Sequence, residues 1–342
     1  MIARVMDRAK LPSLVLGLRS VGGSPWFTVL TYHRAGRPEE VGELDPGTVD
    51  VTPEQLDRHL TYMKRWFDIV GMDDFFAFGR GGTLPKNPLL ITFDDGYLDN
   101  HDVVLPILQK HGVKATFFIA THYISERRLF WWDKIALLVN RSTRASIDLE
   151  YPTPRSLSLA DPAAKVRARM RLLRIVKDHY GLDLERFLVE LAASADVTFS
   201  RDEERRVADE KLMTWDHVRA LRRAGMDVQS HTSTHRVLQT IDEVTLEREL
   251  VESRDVLERE LGEPVRAISY PVGKPLHLSP TIRTAVKKAG YELGFSNGTG
   301  TNHRWDFDPL DARRLAIDIN ASDASFRSML ALPYLLADVI ES

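Results

Sequence analysis

The 342-residue sequence contains no cysteine. This absence excludes disulfide bonds, zinc sites built from thiolates and catalytic cysteine nucleophiles. An excess of charge of one sign is also lacking, because 46 Lys and Arg residues nearly balance 49 Asp and Glu residues, for a formal net charge of -3. This balance argues against a protein whose main partner is nucleic acid. No apolar run approaches the roughly 18 residues that a membrane-spanning helix needs.

The amino-terminal segment 1–24 lacks the features of an export signal. Its longest apolar stretch, Leu14 to Leu18, is too short for a signal core and is followed at once by Arg19, with no small-residue cleavage site after it. We therefore expect a cytoplasmic protein. The segment is expected to form either a surface helix that packs on the domain, which we favour, or a basic amphipathic helix that makes a peripheral contact with the inner face of a membrane.

Short apolar segments that end abruptly in polar residues recur along the chain. We interpret them as buried parallel strands, because strands covered on both faces have nearly continuous apolar sequence. Helical patterns lie between them; one begins after a Thr52 N-cap, and two end at Gly112 and Gly225. Strands that alternate with helices predict a right-handed βαβ succession, and hence an open parallel sheet or a barrel. The strand segments are 27–31, 88–93, 115–120, 226–229 and 267–270.

One long stretch breaks this alternation. Residues 125–211 carry helical patterns and few strand signals, and we interpret them as a helical insertion on one loop of the barrel, where long additions cost little. Its aromatic cluster Phe130-Trp131-Trp132 could stack on sugar rings, but we favour a role in packing the insertion onto the barrel. The predicted organisation is a helical segment at 1–24, the two parts of the barrel at 25–124 and 212–320 with the insertion between them, and a helical tail at 321–342.

Two adjacent carboxylates, Asp94 and Asp95, follow the strand segment 88–93. Their side chains point in different directions, so one can bind a metal while the other faces a reacting water. Gly96 allows a sharp turn of the backbone beneath them. Taken alone, an Asp-Asp-Gly sequence is more typical of a simple turn.

Two histidines, His231 and His235, begin where the strand segment 226–229 gives way to Ser230. Imidazoles four residues apart can converge on one ion if the chain enters a helical turn. Because the carboxyl ends of parallel strands meet at one rim, the pair can lie near Asp95. Two histidines and one carboxylate with open positions are typical of a catalytic metal site.

A third motif, Ser269 to Pro275, begins at the end of the strand segment 267–270 and continues into a turn that contains proline and glycine. Such a turn can direct a backbone N–H at a developing oxyanion. Without the other two motifs, we would interpret it as a rigid loop.

The three motifs, ITFDDGYLDN, SHTSTH and ISYPVGKP, occur in the order that resembles the NodB-type polysaccharide deacetylases, carbohydrate esterase family 4. The similarity covers roughly residues 27–318 outside the insertion. It implies an α/β fold, a deformed (β/α) barrel of the NodB type with a helical insertion. It also implies a metal-dependent hydrolase that removes N-acetyl groups from an amino-sugar-containing polysaccharide or glycolipid precursor.

The same resemblance implies a role for each motif residue. Asp94 corresponds to the catalytic base. Asp95, His231 and His235 correspond to the ligands of a divalent metal, most often zinc. The backbone N–H of Val272 corresponds to the group that stabilises the oxyanion.

The sequence departs from the family pattern at two places. Ser269 occupies the position of the arginine that orients the catalytic Asp, and no Leu-x-His-Asp segment closes the barrel. Instead, an early strand ends in His33. This arrangement resembles the branch of the family that deacetylates poly-N-acetylglucosamine, in which the last motif has moved to the front of the sequence. The resemblance then implies that His33 donates a proton to the leaving amine and that Arg314 replaces the missing arginine. His303 is the alternative acid.

Three other functions share features with this sequence. FDDGYLD has a superficial likeness to the haloacid dehalogenase phosphatases, but their nucleophile would stand two positions before Asp95, where the chain has Phe93. An inactive carbohydrate-binding protein has no need for a base beside a metal. An esterase that removes O-acetyl groups with the same residues remains open, as do the sugar, the metal and the oligomeric state.

Overall fold

A curled, largely parallel sheet lies at the centre of the fold in the computed structural model, which describes residues 2–22, 26–273 and 279–333. The strands are β1 (Trp26–Tyr32), β2 (Arg34–Ala35), β3 (Val49–Val51), β4 (Asp68–Val70), β5 (Pro88–Phe93), β6 (Thr116–Ile119), β7 (Ser146–Leu149), β8 (Arg155–Ser158), β9 (Asp227–Ser230), β10 (Ala267–Ser269), β11 (Leu293–Phe295), β12 (Asn302–His303) and β13 (Leu315–Ala316). Each predicted strand segment overlaps one of these strands.

Helices surround this sheet. They are α1 (Ile2–Arg8), α2 (Leu11–Gly22), α3 (Pro53–Trp66), α4 (Met72–Gly79), α5 (Leu105–His111), α6 (Thr121–Glu126), α7 (Trp131–Arg141), α8 (Pro162–Asp178), α9 (Leu184–Ala195), α10 (Arg201–Lys211), α11 (Trp215–Arg223), α12 (Glu243–Leu261), α13 (Pro280–Lys288) and α14 (Asp323–Ala331). The predicted caps are present: Thr52 and Gln55 form a capping box at the start of α3, and Gly112 ends α5 in the left-handed conformation.

The main sheet has nine strands in the order β11-β10-β9-β6-β5-β1-β12, with β4 added beside β5 and β13 beside β1. Among the described residues, β12 is the only strand of this sheet that pairs in the antiparallel direction. The parallel strands and their crossover helices confirm the predicted deformed (β/α) barrel, here an open, curled half-barrel.

The register brings the carboxyl ends of the central strands to one edge of the sheet. Tyr32 at the end of β1 is the partner of Phe93 at the end of β5. Ile119 at the end of β6 is the partner of Ser230 at the end of β9. The residues that follow these strands therefore share one rim. The strands are buried along nearly their whole length, which explains their continuous apolar sequence.

The insertion lies between β6 and β9, which are direct neighbours in the sheet. The predicted insertion segment runs from the end of α6 through α10, and it also contains an antiparallel pair, β7 and β8, that the sequence analysis missed. Ile147 and Leu149 alternate with exposed residues on β7, but a strand of four residues is too short to reveal this period within a long helical stretch.

The two ends of the described chain pack together. α2 contacts α14 and α3, and its inner side chain Leu16 is fully buried. Arg19 on the same side donates hydrogen bonds to the carbonyl of Leu330 and to the side-chain oxygen of Asn87. This side of α2 therefore packs on the domain, as we expected for a surface helix. Residues 334–342 of the predicted tail lie outside the described residues, and no described helix is both long and apolar enough to cross a bilayer.

The packing of α2 can be tested with two leucines on opposite sides of it. Leu16 is fully buried, whereas Leu18 is 67% exposed. We expect Leu16→Ala to lower the free energy of unfolding by about 2–4 kcal/mol, because it leaves a cavity. Leu18→Ala should change it by less than about 0.5 kcal/mol. Urea denaturation measures both values, and equal losses would contradict the packing described for α2.

Candidate active site

Four of the residues predicted from the motifs meet at the rim formed by the carboxyl ends of the strands. Asp94 and Asp95 follow β5 directly, and His231 follows β9, with His235 four residues later. All four side chains are buried, with relative exposures between 1% and 7%. Charged and polar groups are buried in this way only where they are paired or bind a ligand.

Three of these side chains form a set that could hold a metal ion. Nε2 of His231 lies 3.4 Å from Oδ1 of Asp95, and Nε2 of His235 lies 3.5 Å from the same oxygen. The three ligand atoms all lie within 4.8 Å of one another. Tetrahedral zinc with bonds of about 2.0–2.1 Å separates its ligand atoms by about 3.3 Å. The spacing of the set therefore fits a small divalent cation.

Hydrogen bonding orients this set as metal binding requires. Nδ1 of His231 lies 2.8 Å from the carbonyl oxygen of Ser269, which can only accept, so Nδ1 carries a hydrogen, and in the neutral imidazole the lone pair is on Nε2, the nitrogen nearer Asp95. Oδ1 of Asp95 is buried and has no hydrogen-bond partner among the described residues. Burial lowers the pKa of His235 to about 3, which leaves this imidazole neutral. A buried, unpartnered carboxylate oxygen between two such imidazoles fits a cation.

The backbone around the set adopts uncommon conformations. Asp95, Thr232 and His235 have positive φ angles of 79°, 64° and 54°. Such angles are sparsely populated for residues other than glycine and persist only where the surrounding structure holds them. For Thr232 the surroundings include a hydrogen bond from its N–H to the side chain of Ser230, and its own Oγ1 accepts from the N–H of His235.

Two tryptophans of the insertion, Trp131 and Trp132, contact His235. The ring of Trp132 lies 4.5 Å from the imidazole, and Nε1 of Trp131 donates to the carbonyl of His235. Trp132 is fixed in turn because its Nε1 donates to the hydroxyl of Tyr97, which donates to Asp133. The aromatic cluster therefore packs the insertion onto the barrel, and it also positions one of the candidate metal ligands.

Asp94 is held by two side chains. Both oxygens of its carboxylate contact the guanidinium of Arg314, at 3.0 Å from Nη1 and 2.9 Å from Nη2. The hydroxyl of Ser269 donates a further hydrogen bond to Asp94 at 3.0 Å and accepts one from Arg314 at 2.9 Å. The serine at the family's arginine position and Arg314, which directly precedes β13, thus together orient this carboxylate.

The electrostatic environment keeps Asp94 ionised. Burial opposes ionisation, but the charge of Arg314 outweighs it and holds the pKa of Asp94 far below its usual range. Asp94 is therefore an unprotonated carboxylate at neutral pH, able to accept a proton.

The third motif, the turn after β10, is connected to Arg314 by hydrogen bonds. Val272, which lies in the turn after β10, has a φ angle of 61°, a conformation rare for a β-branched residue. The next residue, Gly273, has no space for a side chain, because a Cβ there would lie 2.4 Å from Asn297. The backbone N–H of Asn297 donates a hydrogen bond to the carbonyl of Gly273. The side-chain oxygen of Asn297 accepts a hydrogen bond from Arg314. The turn that carries the Val272 N–H is thus connected to Asp94 through Asn297 and Arg314.

His33 follows β1 at the same rim and is paired with a residue that the sequence analysis missed. Nδ1 of His33 lies 3.0 Å from Oδ2 of Asp50 on β3, and the backbone N–H of His33 donates to the same oxygen. Burial alone would lower the pKa of His33, but the charge of Asp50 outweighs it and raises the pKa to about 10. The imidazole is therefore protonated at neutral pH. An acidic residue between Val49 and Val51 was the only sequence signal for this partner.

His303 does not reach this rim. It pairs with Trp26, the first residue of β1, whereas His33 follows the last residue of that strand. At about 3.3 Å per residue, β1 separates the two ends by about 20 Å. The imidazole of His303 instead lies between the rings of Trp26 and Trp305. The alternative assignment of the acid to His303 is therefore wrong.

Comparison with known proteins gives matches in sequence and in structure. The sequence profile of the polysaccharide deacetylase family matches residues 81–149 and 178–294. The curated protein YxkH of Bacillus subtilis (strain 168) is 33% identical over 72 residues, which are 19% of this chain and 26% of YxkH. The matched stretch therefore spans about a quarter of that relative.

Solved structures cover more of the chain. The deacetylase PplD of Streptococcus pyogenes superimposes with a TM-score of 0.57 at 18% identity, covering 89% of this chain and 98% of PplD. A de-N-acetylase from Aggregatibacter actinomycetemcomitans gives 0.54 at 17% identity, covering 88% and 98%. IcaB from Ammonifex degensii gives 0.53 at 15% identity, covering 90% and 97%. At these identities the likeness shows a shared fold.

The profile match includes the segments that carry Asp94, Asp95, His231 and Val272, and it omits 150–177 within the insertion. It covers more than half of the chain, and the structural neighbours share its half-barrel. The chain therefore belongs to the NodB-type polysaccharide deacetylase family.

Proposed function

We propose that the protein is a metal-dependent hydrolase that removes N-acetyl groups from an amino-sugar-containing polysaccharide or glycolipid precursor. The observation that carries this proposal is the position of an ionised, arginine-bound carboxylate, Asp94, beside the Asp95, His231 and His235 set. Oδ2 of Asp94 lies 3.8 Å from Nε2 of His231, so the proposed base and the proposed metal ligands are adjacent.

Asp95, His231 and His235 would hold a divalent cation, and their carboxylate and imidazole donors suit zinc. When bound, such a cation supplies Lewis-acid polarisation of the acetyl carbonyl and a water of lowered pKa. The structure supports this assignment through the spacing of the three ligand atoms and the unpartnered oxygen of Asp95.

The remaining steps belong to residues of the chain. Asp94 accepts a proton from the attacking water, and Arg314 and Ser269 keep its carboxylate ionised and aligned. The N–H of Val272 donates to the oxygen that becomes negative when the carbonyl is attacked. Protonated His33 gives its proton to the amide nitrogen, so the C–N bond breaks to yield acetate and a free amino sugar.

The opposed pKa shifts of Asp94 and His33 favour catalysis over binding alone. One group is held ionised by Arg314 and the other protonated by Asp50, so a base and an acid are present together at neutral pH. A carbohydrate-binding site needs neither. The acid also favours N-deacetylation over removal of O-acetyl groups, because an amine leaves only after protonation.

The base assignment is tested with Asp94→Asn. The variant should keep its metal affinity, because Asp94 is not one of the three ligands, and lose turnover by about 10²–10⁴-fold, since no group then accepts the proton of the water. Acetate release from a panel of acetylated sugars, measured with chelator and with added zinc, gives the rate. Full activity of this variant would overturn the assignment.

The metal set is tested with Asp95→Ala, His231→Ala and His235→Ala. Each removes a ligand atom, so we expect zinc affinity to fall by at least about 100-fold, beyond what loss of an outer partner costs. Competition with a chromophoric chelator measures the affinity, and Asp94→Asn is the matched control in the same cavity. Unchanged affinity in all three variants would rule out this site.

The acid is tested through the partner of His33. The protonated imidazole is the active form, so kcat/KM should fall as pH rises through its pKa. Asp50→Asn removes the charge that raises this pKa, and the basic limb of the pH profile should therefore move to lower pH. His303→Gln is the control and should leave the profile in place. If Asp50→Asn leaves the basic limb unmoved, His33 is not the acid.

A further inference from the structure

The amino-terminal helices expose large apolar side chains. On α2, Leu14, Leu18 and Val21 are 60%, 67% and 79% exposed, and Val5 on α1 is 63% exposed. The three α2 residues are separated by four and three positions, so they lie on one side of the helix. We call these three residues the α2 outer face.

The packing of the helix does not require this face. The opposite side of α2 already carries the contacts that hold it to the domain, through buried Leu16 and through Arg19 with its bonds to Leu330 and Asn87. Large apolar side chains grouped on a surface mark an interaction site when they do not serve the core.

The segment that contains the α2 outer face has more basic than acidic residues. Asp7 is the one acidic residue between residues 2 and 22, and it is neutralised by Arg327, whose Nη2 lies 2.6 Å from its carboxylate. Arg8 and Lys10 are exposed. Neither has an ion-pair partner in the part of the chain that the structure describes. Exposed apolar residues on a helix beside unpaired cations are the combination that binds anionic lipid surfaces.

A protein partner fits this face less well. A stable protein interface buries about 800 Å² on each side, and three side chains on a 12-residue helix supply well under that area. A lipid surface requires no such complementary area, because each side chain enters the head-group region individually.

We propose that the α2 outer face docks on an anionic phospholipid surface. Leu14, Leu18 and Val21 enter the head-group region, and Arg8 and Lys10 lie near the lipid phosphates. Arg19 joins the far end of α2 to Asn87, just before β5, whereas Asp94 follows the other end of that strand. A protein docked in this way keeps its active-site rim uncovered. The proposal does not depend on the deacetylase activity.

The absence of cysteine allows a single environment-sensitive fluorophore to report on this face. We would label Leu18→Cys and compare it with Val244→Cys, a residue 79% exposed on α12. Vesicles of phosphatidylcholine with phosphatidylglycerol should shift the Leu18→Cys emission to the blue, whereas pure phosphatidylcholine should not, and neither should shift Val244→Cys.

The same probe identifies each competing occupant. An emission already blue-shifted without vesicles at all protein concentrations would show that the chain itself covers the face. A blue shift that grows with protein concentration would show a second copy. Either result, or no shift with anionic vesicles, would overturn the proposal.

Substitution provides the second measurement. Leu18→Gln/Val21→Gln should reduce co-sedimentation with anionic vesicles by at least tenfold in partition coefficient. The matched control Val189→Gln/Val244→Gln removes two exposed apolar side chains elsewhere, on α9 and α12, and should bind as the unmodified protein does. Asp94→Asn should also bind unchanged, which separates this proposal from the catalytic one. Equal losses in the two double variants would contradict docking through α2.

Discussion

The buried ion pair between Asp94 and Arg314 is the interaction on which the rest of the site depends. A carboxylate and a guanidinium removed from water are tolerated only if they are paired and their other polar atoms are bonded. Here the pairing is bidentate, and Arg314 has further hydrogen bonds to Ser269, Asn297 and the carbonyl of Ser296. Because Asp94 follows β5, Ser269 ends β10, Arg314 precedes β13, and Ser296 and Asn297 follow β11, one cation fixes the ends of distant strands relative to one another.

The active-site chemistry follows from how two titratable groups at one rim are partnered. Asp94 is at the end of β5 and His33 is at the end of β1, its neighbour in the sheet. Arg314 stabilises the ionised form of the first, and Asp50 stabilises the protonated form of the second. In the proposed function these two groups, with opposite protonation states, serve as base and acid toward the same substrate, which a cluster of similar groups in water could not do.

The sequence predicted the position of a site residue where that residue directly follows an apolar strand segment of the parallel sheet. Asp94 and His231 could be assigned to one rim because both follow buried apolar strands, whose carboxyl ends align in a parallel sheet. Asp50 could not be assigned, because nothing in a three-residue strand indicates that it faces His33. Arg314 lies just before β13, a strand of two residues that is too short to show a period, so only the family resemblance indicated its contact with Asp94. His303 was mistaken for a rim residue because sequence position does not reveal the direction of the short strand β12.

Anomalous X-ray scattering from crystals grown with zinc tests the proposed metal site most directly. We expect one strong peak within about 2.0–2.2 Å of Oδ1 of Asp95 and Nε2 of both His231 and His235, with the carboxylate of Asp94 still bound to Arg314 and outside the coordination sphere. A peak that Asp94 coordinates, or no peak between these three residues, would contradict the division of the two neighbouring carboxylates into a metal ligand and a base.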